Sequence, residues 1–363
     1  MTQDSGNSKQ AVVIGTSPIM LCAAITLAEK GWHIRAIEER DRPGGAWRTI
    51  SAFGCDRVEP AVHLLENRRR THERLAEDLG VSLTAETRPH GVFRGVRLGL
   101  HVTRLVCFTG VGLKGALRGD RNKAAMGFRS AGRSLTHLRT PFLYPTQGSA
   151  SLVEDLMHRA STLPIEFIYD TSVNEIDVKG SKTDDPPAGV CRNSQDSWAF
   201  DKIFVTSRAH AQITLDGRPL SLPSRTSTIV SLLLHIKVPK NPEIGYVEVL
   251  GDDLIRRVRD VGRFSQPAPE QGTMILGVQL RTAESVTAER ANDVAAQVLR
   301  RVQTLQILAD DAELIDHQLE TFTHSTIPDA RIRALAGSTE SIVNGLTTTD
   351  FAEDLGALRT RLA

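Results

Sequence analysis

Residues 11–49 read AVVIGTSPIMLCAAITLAEKGWHIRAIEERDRPGGAWRT. Ala11 to Ile14 is a short apolar run that stops at Gly15, and Pro18 to Lys30 repeats apolar residues at helical spacing (Ile19, Leu21, Cys22, Ile25, Leu27, Ala28) until Gly31 ends it. His33 to Ile37 alternates apolar and polar residues and closes on Glu38, 23 positions after Gly15. Strand, tight turn, helix and strand in that order predict a nucleotide-binding βαβ unit. The helix N-terminus would present free backbone N–H groups and a positive dipole end to a pyrophosphate. A carboxylate ending the second strand would accept hydrogen bonds from a ribose hydroxyl pair.

The glycine fingerprint of such a unit is incomplete. Where G-x-G-x-x-G is expected the chain has Gly15-Thr16-Ser17-Pro18-Ile19-Met20, which keeps the first glycine only. The second glycine of the pattern admits the backbone to the pyrophosphate and the third lets helix and strand pack closely. Ser17 adds a small side chain, whereas Met20 is expected to push bulk into the helix–strand contact. Past Glu38 a second glycine-bearing stretch follows, Pro43-Gly44-Gly45-Ala46-Trp47-Arg48-Thr49.

Ile37-Glu38-Glu39-Arg40 followed by Pro43-Gly44-Gly45 resembles the second half of the FAD-binding signature of the superfamily of flavin amine oxidases, protoporphyrinogen oxidases and phytoene desaturases, which includes UDP-galactopyranose mutases. The resemblance implies FAD as cofactor and an α/β fold, a Rossmann-like FAD-binding domain of glutathione-reductase type with an inserted α+β substrate domain. It implies cofactor contacts at Gly15, Ser17, Pro18, Ile19, Met20, Glu38, Glu39, Arg40, Gly44, Gly45, Ala46 and Trp47. Ala61-Val62-His63 matches the segment that passes close to the isoalloxazine ring, which makes His63 the candidate catalytic residue; a histidine between apolar neighbours also reads as an ordinary core residue. Val173, in Asp170-Thr171-Ser172-Val173, matches a strand valine whose backbone pairs with the adenine. Asn344-Gly345-Leu346 stands where the family has a Gly-Asp or Gly-Arg pair, so Gly345 and Leu346 would approach the FAD without the acid.

The same resemblance divides the chain. Residues 1–10 form a polar tail expected to be disordered; 11–90, 140–215 and 325–363 build the FAD-binding domain; 91–139 and 216–324 build the substrate domain. Helix is expected over Arg68 to Leu79 with Leu75 and Leu79 inward, over Leu152 to Ala160, over Ala283 to Ala309 and over Asp350 to Leu362. Strands are expected over Val92 to Leu100, Ile165 to Asn174, Phe200 to Ser207, Ser227 to Val238, Gly245 to Leu250, Leu254 to Val261 and Thr273 to Leu280, the last four as an antiparallel platform. Gly180 to Ser197 is a polar excursion, and Thr323 to Ala336 with Ile342-Val343 returns the chain to the first domain.

Between Arg104 and Arg139 stand eight basic residues (Arg104, Lys114, Arg118, Arg121, Lys123, Arg129, Arg133, Arg139) and one acid, Asp120. Such a stretch could hold an anionic substrate, with Arg129, Arg133 and Arg139 as candidate contacts, or touch acidic lipid. It also reads as a solvated helix face.

Composition narrows the function. A chain of 363 residues with 40% hydrophobic content supports a large core and two domains. Its net charge of +1 and 5% aromatic content argue against a nucleic-acid binder. No run approaches the roughly 20 apolar residues of a transmembrane segment, and MTQDSGNSKQ lacks the basic start and apolar centre of a secretory signal, so a cytoplasmic protein is expected. The four cysteines, Cys22, Cys55, Cys107 and Cys191, have no metal-ligand spacing with histidines, and no metal is expected. The leading function is an FAD-dependent oxidoreductase that takes a hydride from a small-molecule biosynthetic intermediate, in which the flavin carries the chemistry and the protein the placement. A UDP-galactopyranose mutase-like non-redox enzyme is the alternative within the family, though three tyrosines leave few partners for a nucleotide diphosphate. From another class comes a degenerate homologue with weak or no FAD binding, an accessory or scaffold in a biosynthetic complex. An NAD(P)-dependent dehydrogenase accounts for Gly15 and Glu38 but leaves Gly44-Gly45 unexplained. A homo-oligomer or a biosynthetic partner protein is compatible with either class.

Overall fold

The computed structural model describes residues 9–67, 71–86, 89–179, 189–205, 212–215, 217–219, 225–239, 242–281, 286, 290–326 and 342–343. Six helices lie among them: Pro18–Ala28 (α1), Thr71–Leu79 (α2), Leu100–Leu117 (α3), Arg121–Thr136 (α4), Ser149–Ala160 (α5) and Ala291–Thr304 (α6).

The predicted βαβ unit is present and central. Strand Gln10–Ile14 lies parallel to His33–Ile37 on one side and to Lys202–Val205 on the other. Ile165–Ile168 extends the sheet beyond His33–Ile37, and Ile342–Val343 beyond Lys202–Val205, giving five parallel strands. Period-two alternation sorts the middle strand onto two faces. Ala11 and Val13 pack with Met20, Leu21 and Ile25 of α1 and Leu152 and Leu156 of α5, whereas Val12 packs with Val173, Ile176 and Phe200. On that second face lies a sheet ordered Ser197–Phe200, Gly189–Arg192, Glu175–Val178, Gln212–Leu215, Arg218–Pro219. Helices, parallel sheet and small sheet make three layers.

The second body is a seven-stranded sheet ordered Glu313–Thr326, Arg225–Lys237, Thr273–Leu280, Ile255–Asp260, Val247–Leu250, His90–Phe93, Val96–Gly99. All its neighbours are antiparallel except Val247–Leu250 with His90–Phe93. Val298, Leu299 and Val302 of α6 close one face. Short strands Leu65–Glu66, Phe142–Pro145 and Leu83–Ala85 form a further, three-stranded sheet.

Several sequence expectations change. Val92 to Leu100 is a hairpin, not one strand: Arg94 (φ 51°) and Gly95 (φ 79°) turn the chain, Val96 and Leu98 are exposed, and Leu100 starts α3. The strand expected to reach Asn174 stops at Ile168, and α6 starts at Ala291 where helix was expected from Ala283. Glu313–Thr326 is a 14-residue strand although its sequence carries no strand pattern of its own. Met20 does not wedge the helix off the sheet; it is fully buried and fills the space between them. The first eight residues, the helix expected over Asp350 to Leu362, the side chain of Leu75, Gly345 and Leu346 lie outside the described residues.

Candidate functional site

The Gly15 turn is closed by Glu38. Gly15 takes φ 94°, a conformation that favours glycine, and its N–H donates to Ile37 O at 2.7 Å. Thr16 is buried and donates twice to Glu38 Oε2, from its backbone N–H at 2.9 Å and its hydroxyl at 2.6 Å. Arg40 N–H donates to Glu38 Oε1 at 3.2 Å. A carboxylate oxygen has two lone pairs, so Oε2 is filled and Oε1 keeps one acceptor position. Glu38 is only 4% exposed, with room for one further donor there.

Ser17 is the N-cap of α1 in extended backbone and makes no side-chain cap hydrogen bond; Pro18 at the first position has no N–H to offer. Leu21 N–H bonds to Ser17 O at 2.9 Å, which leaves Ile19 and Met20 as the first-turn N–H groups without an intrahelical acceptor. The Gly44–Gly45 loop folds directly onto this turn. Gly44 N–H donates to Thr16 O at 3.1 Å, and a Cβ at Gly45 would stand 3.1 Å from Ser17 Cβ. Gly44 and Gly45 have φ 114° and 55°, and a Cβ at Gly44 would press on Val153 of α5 at 3.2 Å. Glu39 and Arg40 lie on the surface past the turn, 4.0 Å apart. Val173 is buried after strand Ile165–Ile168, in a segment held by Thr171 N–H to Glu38 O at 3.0 Å.

His63 is tied to the glycine loop. Its ring stacks on Trp47 at 4.2 Å and 6°, and its Nε2 donates to Ala46 O at 2.8 Å, which sets the tautomer with Nε2 protonated. Arg48 next to this stack reaches the seven-stranded sheet, 3.6 Å from Glu320 and over the Phe322 ring at 4.9 Å. His63 therefore holds the Gly44–Trp47 loop in place, a positioning contact that its sequence neighbours did not announce.

Behind it lies a buried node of charge. Arg259 is 1% exposed; its Nη1 donates to His63 O at 3.0 Å, its Nη2 to Glu86 Oε2 at 2.8 Å, and its guanidinium covers the Tyr144 ring at 3.4 Å. Tyr144 in turn donates a short hydrogen bond to Glu59, which also accepts from Ser149 N–H at 2.7 Å. Gly148 at φ 87° permits this approach, since a Cβ there would meet Glu59 Oε1 at 2.9 Å. Burial and the Glu59 carboxylate hold the Tyr144 phenol well above its usual range, so it stays a donor.

Asp260, beside the node, is half-buried, and burial pushes its carboxyl up to about 6 even though Gly262 N–H donates to it at 3.1 Å. The folded state thus binds this proton more tightly than the unfolded chain does, and the protein loses stability as pH rises from about 4 through about 6. Asp260→Asn keeps the acceptor for Gly262. It is expected to remove that loss and to be more stable than the wild type by about 1–2 kcal/mol near neutrality, with no gain near pH ~4. Urea unfolding at the two pH values checks this, and an equal difference at both would contradict it.

Arg129, Arg133 and Arg139 lie at or just beyond α4 and are exposed. Among the described residues no group of three or more His, Cys, Asp or Glu side chains could hold a metal ion. No helix among them is long and apolar enough to cross a membrane.

No protein-family model matches the chain, and no curated protein does. Solved structures match over nearly its whole length. Cyclohexylamine oxidase from Brevibacterium oxydans is 10% identical with a TM-score of 0.64, covering 98% of this chain and 99% of that one. A CLA-producing fatty acid isomerase from P. acnes is 12% identical with a TM-score of 0.63, covering 99% and 98%. Reduced UDP-galactopyranose mutase is 12% identical with a TM-score of 0.62, covering 98% and 90%. The chain shares the fold of these enzymes, the one that its residues 37–45 resemble.

Proposed function

We propose that the protein is an FAD-dependent oxidoreductase of the amine oxidase-like superfamily, acting in the cytoplasm on a small-molecule biosynthetic intermediate. The observation that carries this is the convergence of Gly15, the α1 N-terminus, Glu38 and the Gly44–Gly45 loop on one turn, joined by the Gly44–Thr16 hydrogen bond. A bound flavin would accept a hydride from the substrate. This chain's part is to hold the dinucleotide: Ile19 and Met20 N–H groups toward the pyrophosphate, the open position on Glu38 Oε1 toward one ribose hydroxyl, and the Gly44–Gly45 backbone alongside.

A second reading is favoured by two contacts. Glu38 Oε2 is filled by Thr16, and Ser17 Cβ stands against Gly45 where the pattern asks for glycine, both of which suit an accessory homologue that has given up FAD.

Titrating FAD into the purified protein by fluorescence quenching separates the two. Saturable binding is expected for the wild type, and Ser17→Gly should tighten it about threefold, equivalent to roughly 0.6 kcal/mol. Because Ser17 makes no cap hydrogen bond, the replacement should cost only a few tenths of a kcal/mol in stability. Met20 is not part of this test, since removing a fully buried side chain would empty the core. No saturable binding by either protein would sink the flavoenzyme reading and leave the accessory one.

A further inference from the structure

Helices α3 and α4 form an antiparallel hairpin sealed by glycine. A Cβ at Gly127 would stand 2.3 Å from Gly112 N, and one at Gly115 would stand 2.5 Å from Ala124 N, so the two backbones are in close contact. The inner face of α3 is anchored by Thr103, whose hydroxyl bonds to Gly91 O at 3.2 Å, and by Arg104, 2.6 Å from Glu248. With both seams filled by small or anchored residues, many of the hairpin's larger apolar side chains face outward. Of eleven exposed large hydrophobic residues among those described, eight lie between Val102 and Leu138.

Their spacing is regular. Val102, Val106, Leu113 and Leu117 follow at intervals of four, seven and four and line one side of α3, with exposures of 42%, 46%, 53% and 88%. On α4, Phe128 leans over Gly112, and Leu135 follows one heptad later at 57% exposure. Interleaved with them are Lys114, Arg118, Arg121, Arg129, Arg133 and Arg139, all exposed. Among the described residues none of these six lies within ion-pair distance of a carboxylate; Asp120 caps α4 and sits 3.9 Å from Lys123.

We propose that this hairpin docks the protein on an anionic lipid surface, with its axes in the plane of the interface. The apolar stripe of α3 would enter the boundary between head groups and acyl chains, and the six basic side chains would reach the phosphates around it. Neither helix is apolar enough to cross, so the hairpin lies on the membrane. The charge selects lipid over a second copy, because two such faces would bring six unpaired cations against six.

The test is flotation of the full chain with vesicles of phosphatidylcholine alone or with about a third phosphatidylglycerol. Binding at least about tenfold stronger to the anionic vesicles, and weakened by salt, is expected, since each basic residue near such a surface contributes about fivefold. Two double variants, Leu113→Ser with Leu117→Ser and Arg129→Glu with Arg133→Glu, should each lose at least tenfold in partition while circular dichroism stays that of the wild type, because all four positions are exposed. Equal partition to both vesicle types, or none, overturns the proposal. So does a dimer in sedimentation velocity that the leucine variant dissolves without any vesicle binding, which would assign the face to a second copy.

Discussion

Arg259→Ala is expected to lower the free energy of unfolding by about 3–5 kcal/mol, read as a lower urea midpoint with an unchanged slope. Among the described residues the guanidinium is the one cation seated among Glu86, Tyr144 and Glu59, and its removal leaves the Glu86 carboxylate, 3% exposed and already with one oxygen unpartnered among those residues, without that compensation. Truncating one partner of a buried pair costs more than the pair's net worth, because the remaining charge cannot be solvated. Arg259→Met keeps much of the stem that packs on Tyr144 and should be nearly as damaging. Adding Glu86→Gln to Arg259→Met should recover part of the loss, and the coupling in that cycle measures the pair itself. A cost below about 1 kcal/mol for Arg259→Ala would mean that the node is solvated and does not join the two bodies.

Glu38→Ala is expected to give two losses at once. Thr16 N–H, Thr16 Oγ–H and Arg40 N–H lose their acceptor, and each donor left unmatched at a buried turn costs about 1–3 kcal/mol before water or relaxation relieves it. A net destabilisation of about 2–4 kcal/mol follows. On the proposed flavoenzyme reading, the Gly15 turn, no longer fixed from below, should also hold FAD less tightly, with Kd raised at least about tenfold. Glu38→Gln keeps one acceptor oxygen for Thr16 and should fall between the two. Wild-type stability together with wild-type flavin content in Glu38→Ala would show that the turn is held by other contacts.

Much of this architecture is legible in the sequence because its signals are local. The change of period across residues 11–37, the stop at Gly31 and the acid at position 38 fix the βαβ unit without reference to anything distant. Strand Arg225–Lys237 is found for the same reason, as a run too apolar for a surface loop. Glu313–Thr326 escapes because its partner supplies the regularity: it pairs along its whole length with Arg225–Lys237, while its own residues (ELIDHQLETFTHST) carry few apolar positions. Val96 and Leu98 mislead in the opposite sense, repeating at period two yet facing solvent.

The site divides in the same way. Gly15, Glu38 and Gly44–Gly45 are legible as candidates from local pattern, but the use of Glu38 to close the turn depends on Thr16 folding back across it. His63 is legible only as a candidate catalytic residue, whereas its stacking on Trp47 follows from the tertiary path. Arg259 gives no signal, since IRRVRD looks like an ordinary surface-edged strand and Glu86 lies 173 positions away.

The order of strands in the parallel sheet also constrains how the molecule comes into being. Its middle strand, Gln10–Ile14, is synthesised long before one of its two neighbours, Lys202–Val205; the hydrogen bond from Gln10 to Asp201 spans 191 positions. Until that length has been synthesised, the strand has an unpaired edge, and an apolar one. Closing so long a loop makes the sheet a late and slow event, with the exposed edge open to pairing with other nascent chains meanwhile. The rate at which residues 38–201 are translated is therefore expected to bear on the yield of native protein, since it sets how long that edge stays open.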